Sequence, residues 1–470
     1  IARHLISGLG FTNFDNAPWT VQPPLYPALL GLIDLALGVD PFVSARFVGA
    51  AFLGLTLYLV GILFYKVVSP PLAFLGTVSL VVSLPLTGVA RIAWSEAPFN
   101  FFVTLYFYAL LLYFERQDGK RLLFVTLAVV LACLTRYIGV VLILTGVVSI
   151  LMIGRGNRKT QFTHALTFGL LSALPLVAWA ARNYAVSRTL LGPRVPSEHS
   201  LVDNILLALN AVLRWYVPNQ IVDLSPTLMS WGLLAVLALT AVLFGAYAPL
   251  RRALRQAHPL ILFALLYVAA YVGFLIVTST TTRYDDIGNR LLSPIAIPVA
   301  LLLFAAIDAV SRWLARRYPR VPVRALTLAG VALWLVYPIN LDALKLRAQF
   351  HDGLSYNSGT WRDGEMISYI RQNGLSDCAL YSNDPFAMYF YFDKVAEFSP
   401  LEGDGAEILA TIAAWEDDFA RGNTACLVWT YWSPWRTVLF EPGESTAVPH
   451  VAESLQFQDG AIYLLGRAKE

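Results

Sequence analysis

The residues best suited to chemistry lie in TSTTTRYDDIGNRLLSPIAIP, Thr278–Pro298. A hydroxyl-rich start leads into Arg283, Asp285, Asp286 and Arg290, directly ahead of an apolar run interrupted by Pro294 and Pro298. Four charges at one end of an apolar run exceed what anchoring requires. A guanidinium grips a phosphate through two parallel N–H bonds, which lysine does not match in geometry. A phosphate site is the sharper reading, and an Arg–Asp pair that stiffens the loop is the plainer one. Three other stretches carry charges in similar positions. Ser95-Glu96-Ala97-Pro98 opens an apolar run, where Glu96 either favours the positive end of a helix or supplies a site carboxylate. Arg136, in Leu134-Thr135-Arg136-Tyr137, falls between two apolar runs, as a snorkelling cation or a ligand. Arg182-Asn183-Tyr184 and Gly192-Pro193-Arg194 extend the basic set. Arg182 follows Trp179, so interfacial anchoring is its plainer reading.

Stepping from these charges to what positions them, the chain of 470 residues is 57% hydrophobic and 14% charged, with mean hydropathy +0.60. Soluble domains carry about 25% charged residues, so the composition predicts a polytopic α-helical membrane protein. Net charge of +3 with no basic tract argues against nucleic acid. Ten apolar runs suit membrane spans: about Ser44–Tyr65, Pro71–Val89, Ala97–Phe114, Leu122–Leu134, Ile138–Ile153, Phe162–Ala181, Leu228–Tyr247, Leu260–Val277, Leu291–Val310 and Ala325–Ile339. One set of connections is compact and basic (Lys66; Arg116, Lys120 and Arg121; Arg155, Arg158 and Lys159; Arg251, Arg252 and Arg255; Arg312 to Arg324). Lys and Arg in short loops mark the cytoplasmic side. Ten spans put every basic loop there, and put Ile1–Gly38, Glu96, Arg136, the segment from Arg182 to Pro226, Thr278–Arg290 and everything after Leu341 outside. An external start implies one more span before Ile1, eleven in all.

Residues 1–38 read as two short interfacial helices, Ala2–Ser7 and one opened by Gln22-Pro23-Pro24, joined by a polar turn. Pro is tolerated there because the first N–H groups of a helix have no intrahelical partner. Residues 1–342 thus form a membrane domain, and residues 343–470, richer in Asp, Glu, Asn and Gly, a small extracytoplasmic α/β domain. Its expected elements are helices at Gly364–Gln372 and Glu407–Phe419, strands at Cys378–Ser382 and Cys426–Tyr431, a turn at Asn383-Asp384-Pro385, and a hairpin of Val451–Phe457 with Ala461–Leu465. Cys378 and Cys426 fall on those strands; buried free thiols are expected in preference to a disulfide. No nucleotide-phosphate loop, H-E-x-x-H or serine-triad pattern occurs, and the six histidines are scattered.

In order and sidedness these motifs resemble the GT-C glycosyltransferases of the protein O-mannosyltransferase and ArnT (aminoarabinose transferase) superfamily. The likeness is carried by A-R-H-L-I-S-G-x-G-F and Q-P-P-L-Y-P in the first loop, Ser95-Glu96, T-R-Y at Thr135–Tyr137, W-x-x-R-N-Y at Trp179–Tyr184 and R-Y-D-D-I-G-N-R-L-L-S-P. Y-N-S-G-T-W-R at Tyr356–Arg362 and Y-S-N-D-P at Tyr381–Pro385 resemble the tail of bacterial members. The resemblance implies inverting transfer of a sugar from a polyprenyl-phosphate donor to a lipid, glycan or protein acceptor on the outer face of the plasma (inner) membrane. It implies Glu96 as an acidic site residue, and Arg136, Arg182, Arg194, Arg283, Asp286 and Arg290 as substrate-binding residues. The family's principal acidic residue is expected upstream of Ile1, so its role passes to no residue here. Carboxylates at a phosphate site are compatible with Mg²⁺ or Mn²⁺, though arginine does the same work. The alternatives are a non-catalytic subunit of a larger membrane complex and a transporter or flippase. The latter usually shows mid-membrane charges and paired repeats.

Overall fold

The structure, a computed structural model, describes residues 1–153, 157–194, 196–246, 256–375, 378–398, 424–431 and 451–465. It divides into two compact units, Ile1–Thr12 with Pro18–Ala343, and Asn13–Ala17 with Leu344–Glu470.

The first unit is helical: α1 (Ala2–Ile6), α2 (Leu25–Leu37), α3 (Pro41–Val67), α4 (Pro70–Val81), α5 (Leu84–Ala90), α6 (Glu96–Glu115), α7 (Gly119–Thr135), α8 (Val140–Ile153), α9 (Arg158–Ser187), α10 (Leu201–Tyr216), α11 (Asn219–Val222), α12 (Pro226–Ala246), α13 (Pro259–Thr281), α14 (Asn289–Arg317) and α15 (Val323–Asp352). Among the described residues seven helices (α3, α6, α9, α12, α13, α14 and α15) are long and apolar enough to cross a membrane. The pair α4 and α5, bent by 47°, makes an eighth if it is one span. The ten apolar runs fold as helix over their described residues. The run Pro71–Val89 breaks at Val82-Ser83, where Pro85 follows. At 17 and 14 residues, α7 and α8 fall short of the ~20 that a bilayer crossing needs.

Local chemistry sets the helix ends. Asp40 caps α3 by accepting from the Phe42 N–H at 2.8 Å, with Pro41 in the first turn. Asp118 and Asn157 cap α7 and α9 in the same way, since side-chain oxygens at this position satisfy N–H groups that the helix leaves open. Pro294 and Pro298 do not interrupt α14, which continues through both. Each proline removes one ladder bond, a loss that neighbouring helices make tolerable inside a packed bundle. The connection from Arg182 to Pro226 is not a loop. It continues α9 to Ser187 and then forms α10, started by a capping box of Ser200 and Asp203.

The two most deeply buried spans, α6 and α14, run side by side, joined by a bond from Asn100 Nδ2 to Ser293 Oγ (3.2 Å). At the far end of α14, buried Asp308 accepts from Ser69 Oγ (2.9 Å) and Arg312 Nη1 (2.5 Å). Buried Asp342 on α15 holds Arg91 (2.6 Å) and Thr87 (3.1 Å) beside α5. Gly49 lets α3 pass so close to the Ala90 carbonyl that a Cβ would collide with it, the small-residue packing usual between membrane helices.

In the second unit β1 (Ala379–Ser382), β2 (Glu397–Phe398), β3 (Ala425–Thr430), β4 (Val451–Gln456) and β5 (Gly460–Leu465) form one sheet in the order β2-β1-β3-β5-β4. β2, β1 and β3 are parallel, while β5 is antiparallel to both β3 and β4. Three short helices, α16 (Gly359–Arg362), α17 (Glu365–Asn373) and α18 (Pro385–Phe392), accompany it. Two expectations need correction. Cys378 and Cys426 form a disulfide, because parallel pairing of β1 and β3 brings the two positions together. Asn383-Asp384-Pro385 is not a turn but the start of α18: Asp384 Oδ1 accepts from the Ala387 N–H, and the Asn383 side chain bonds the Thr430 backbone on both its N–H and its C=O. The helix expected at Glu407–Phe419 lies outside the described residues.

Candidate active site at two helix N-termini

Glu96 is the first residue of α6 and Arg290 the second of α14. Because the two core helices lie together, their N-terminal ends share one locus. Unsatisfied N–H groups and the helix dipoles make such ends favourable for negative charge. Glu96 is 1% exposed. Its Oε1 is held by Arg290 Nε at 2.6 Å and Arg136 Nη1 at 2.5 Å, and Arg136 Nη1 also reaches Ser95 Oγ at 3.2 Å. Arg136 is delivered by the break between α7 and α8, where Tyr137–Gly139 forms a single 3₁₀ turn. Arg290 Nη1 also bonds Asp285, and its guanidinium lies 4.3 Å from the Trp94 ring centroid. Two cations and two carboxylates thus balance. Glu96 Oε2 is buried and has no hydrogen-bond partner among the described residues. The Tyr26 phenol is pushed above its ordinary range by burial and, second, by the Glu96 charge, which places Tyr26 within the field of this carboxylate.

Other motif residues hold the first loop. Arg182 donates to the carbonyls of Trp19 (2.9 Å) and Phe11 (3.2 Å) and lies over the Trp179 ring at 4.9 Å. Buried Asn183 donates to the Leu190 carbonyl (3.0 Å), the Thr20 carbonyl (3.4 Å) and the Tyr137 hydroxyl (2.9 Å), which itself donates to Thr20 at 2.7 Å. T-R-Y and W-x-x-R-N-Y therefore clamp one backbone segment between them. Exposed Arg194 donates to Leu191 (3.1 Å) and Val21 (3.4 Å) and lies over Tyr284.

Of the seven expected site residues, the structure gathers Glu96, Arg136 and Arg290. Arg283 and Asp286 pair instead with Glu198 (3.4 Å) and His199 (3.0 Å) on an exposed rim. Arg182 and Arg194 use donors on loop carbonyls. Trp94 and Asp285 join the centre without having been expected there. The signals were an aromatic directly before Ser95-Glu96 and a carboxylate five residues ahead of Arg290. Among the described residues no three His, Cys, Asp or Glu side chains group as metal ligands.

The architecture is that of a polytopic membrane protein with the GT-C fold. In particular, ArnT from Cupriavidus metallidurans in the apo state superimposes with a TM-score of 0.61 at 12% identity, over 99% of this chain and 91% of that one. The same ArnT bound to undecaprenyl phosphate gives 0.55 at 12% identity, over 99% and 92%. Residues 21–180, which include Glu96 and Arg136, match the family model described as dolichyl-phosphate-mannose-protein mannosyltransferase. A comparison with curated proteins finds no match.

Proposed function

We propose that this protein transfers a sugar from a polyprenyl-phosphate donor to an acceptor at the outer face of the plasma membrane, with inversion at the anomeric carbon. The observation that carries the reading is the pair of guanidiniums converging on buried Glu96 at two helix N-termini. Each arginine keeps N–H donors beyond those bound to Glu96, Asp285 and Ser95, at a locus where a phosphate is favoured on electrostatic grounds. The acceptor hydroxyl oxygen attacks the anomeric carbon from the side opposite the phosphate. The bond from that carbon to the phosphate oxygen breaks, the lipid phosphate departs with the electron pair, and the acceptor's hydroxyl proton passes to the departing phosphate. Arg136 and Arg290 stabilise the charge that develops on it. Glu96 fixes both guanidiniums. No residue here is given the role of the family's first carboxylate.

Sidedness supports the outer face. Lys66, Glu115 and Arg116 lie at the helix ends opposite Glu96, as do Arg312, Arg316 and Arg317 relative to Arg290, and short basic connections face the cytoplasm. The Cys378–Cys426 disulfide suits an oxidising compartment for the second unit. The test is turnover in liposomes holding polyprenyl-phosphate-linked hexoses or pentoses and lipid, glycan or peptide acceptors, with the product's anomeric configuration read by NMR. Consumption of one donor with inversion, abolished in Arg290→Ala that remains folded at the assay temperature, supports the reading. Undiminished turnover in that variant refutes the site.

A further inference from the structure

Beside this centre lies a second concavity that the transfer chemistry above does not use. The segment ahead of α10, the end of α13 and the loop ahead of α14 enclose about 250 Å³, lined by Glu198, His199, Ser279, Arg283, Asp285 and Asp286 among others. Ligand sites for drug-sized molecules measure about 300–1,000 Å³ and are mostly apolar. This one is smaller and dominated by polar groups, so it suits neither a lipid chain nor a larger glycan. Ser279 is 5% exposed, and its Oγ has no hydrogen-bond partner among the described residues, a buried hydroxyl in the same wall as the charged side chains.

Each carboxylate has a nitrogen partner. Glu198 faces Arg283 at 3.4 Å, Asp286 faces His199 at 3.0 Å, and Asp285 is bonded to Arg290. Carboxylates with a guanidinium and an imidazole among them offer acceptors and donors side by side, and the excess of carboxylates disfavours an anionic ligand. Hydroxyl groups, which donate and accept at once, fit such a wall best. Asp285 belongs both to this wall and to the Arg290 centre, so a ring seated here lies next to the phosphate locus.

We propose that this pocket binds one uncharged sugar ring, as the glycosyl group of the lipid-phosphate donor or as the terminal sugar of an acceptor. The proposal rests on the phosphate site described above. Glu198, Asp286 and Ser279 then determine which ring is accepted, and Asp285 links ring and phosphate recognition.

The test uses the full chain in nanodiscs. Affinities are measured for polyprenyl phosphate and for polyprenyl-phosphate-linked glucose, mannose, galactose, arabinose and glucuronic acid. Methyl glycosides of the same sugars are titrated onto protein already loaded with polyprenyl phosphate. Glu198→Gln, Asp286→Asn and Ser279→Ala are compared with wild type at matched melting temperature. A donor ring is shown by a neutral glycosyl lipid that binds at least tenfold more tightly than bare polyprenyl phosphate, with the gain lost in the variants and bare-phosphate affinity unchanged. An acceptor ring is shown by saturable methyl-glycoside binding to the loaded protein that the same variants abolish. The pocket assignment is overturned if no sugar adds affinity in either format, if only the glucuronyl lipid gains, or if the gain survives all three variants. Failure of wild type to bind polyprenyl phosphate at all overturns the phosphate site instead, so the two failures are distinct.

Discussion

Replacing Arg290 by lysine keeps the charge and removes the fork. Arginine has five N–H donors. Nε is committed to Glu96 and one N–H on Nη1 to Asp285, which leaves three for a ligand. Lysine has three donors; if two replace those bonds, one remains, and a two-point grip on phosphate is lost. One charge-assisted hydrogen bond contributes about 1.5–3 kcal/mol. At about 1.4 kcal/mol per tenfold, Arg290→Lys should bind polyprenyl phosphate roughly 10- to 150-fold more weakly. The lost contact with Trp94, 4.3 Å away, acts on folding rather than binding and is worth about 0.5–1 kcal/mol at a partly exposed site. Equilibrium binding in nanodiscs, with the melting temperature followed in parallel, separates the two effects. Binding within twofold of wild type would refute the fork argument and leave Arg290 as a structural ion pair.

Glu96→Gln leaves Arg136 and Arg290 facing each other without their counter-charge. Breaking a buried pair costs about 3–5 kcal/mol, and with the guanidiniums 21% and 31% exposed the expected loss is about 2–3 kcal/mol, read from chemical denaturation; an unchanged midpoint would contradict it. Asn183→Ala removes a buried amide with four hydrogen-bond contacts and should cost about 1–3 kcal/mol while speeding proteolysis of the first loop; wild-type cleavage rates would mean that the clamp does not hold it. His258 caps α13 by accepting the Leu260 N–H on Nδ1 (3.3 Å), which requires the neutral ring. Burial and, second, Lys66 lower its pKa below the ordinary 6.5, so the cap's contribution is fully present above 6.5 and fades as pH falls through the lowered folded value. Melting temperature should therefore decline on acidification below pH 6.5, and His258→Asn, a cap that does not titrate, should flatten the decline; an equal decline in both proteins would exclude the cap as its source.

The helical architecture was legible because membrane spans are written in long apolar runs, and each of the ten runs is helical over its described residues. Span number was less legible. Hydropathy does not register that Ser83 and Pro85 bend one run, whereas the break at Arg136, where the chain turns to deliver a side chain, falls where two apolar runs part. α10 escaped notice because its apolar stretches are short, divided by Asn210 and bounded by Asp203-Asn204 and Arg214. At the site, residue type located Glu96, Arg136 and Arg290 but did not separate ligands from fasteners. Arg182 has the composition of an anion ligand, yet binds carbonyls of residues more than 160 positions away in sequence. Such a partner cannot be read from spacing. The same holds for the disulfide, which depends on β1 and β3 being neighbours in the sheet.

The most direct test of the central claim is thermal stabilisation of the purified chain by polyprenyl phosphate, with the corresponding polyprenol as control. At a hundredfold excess over Kd, binding to the folded state alone contributes about 2.7 kcal/mol. A phosphate site at Arg136 and Arg290 predicts a clear upward shift of the melting temperature with the phosphate, none with the alcohol, and loss of the shift in Arg290→Ala. Equal shifts with phosphate and alcohol, or a full shift in the variant, would contradict a phosphate site at Arg136 and Arg290.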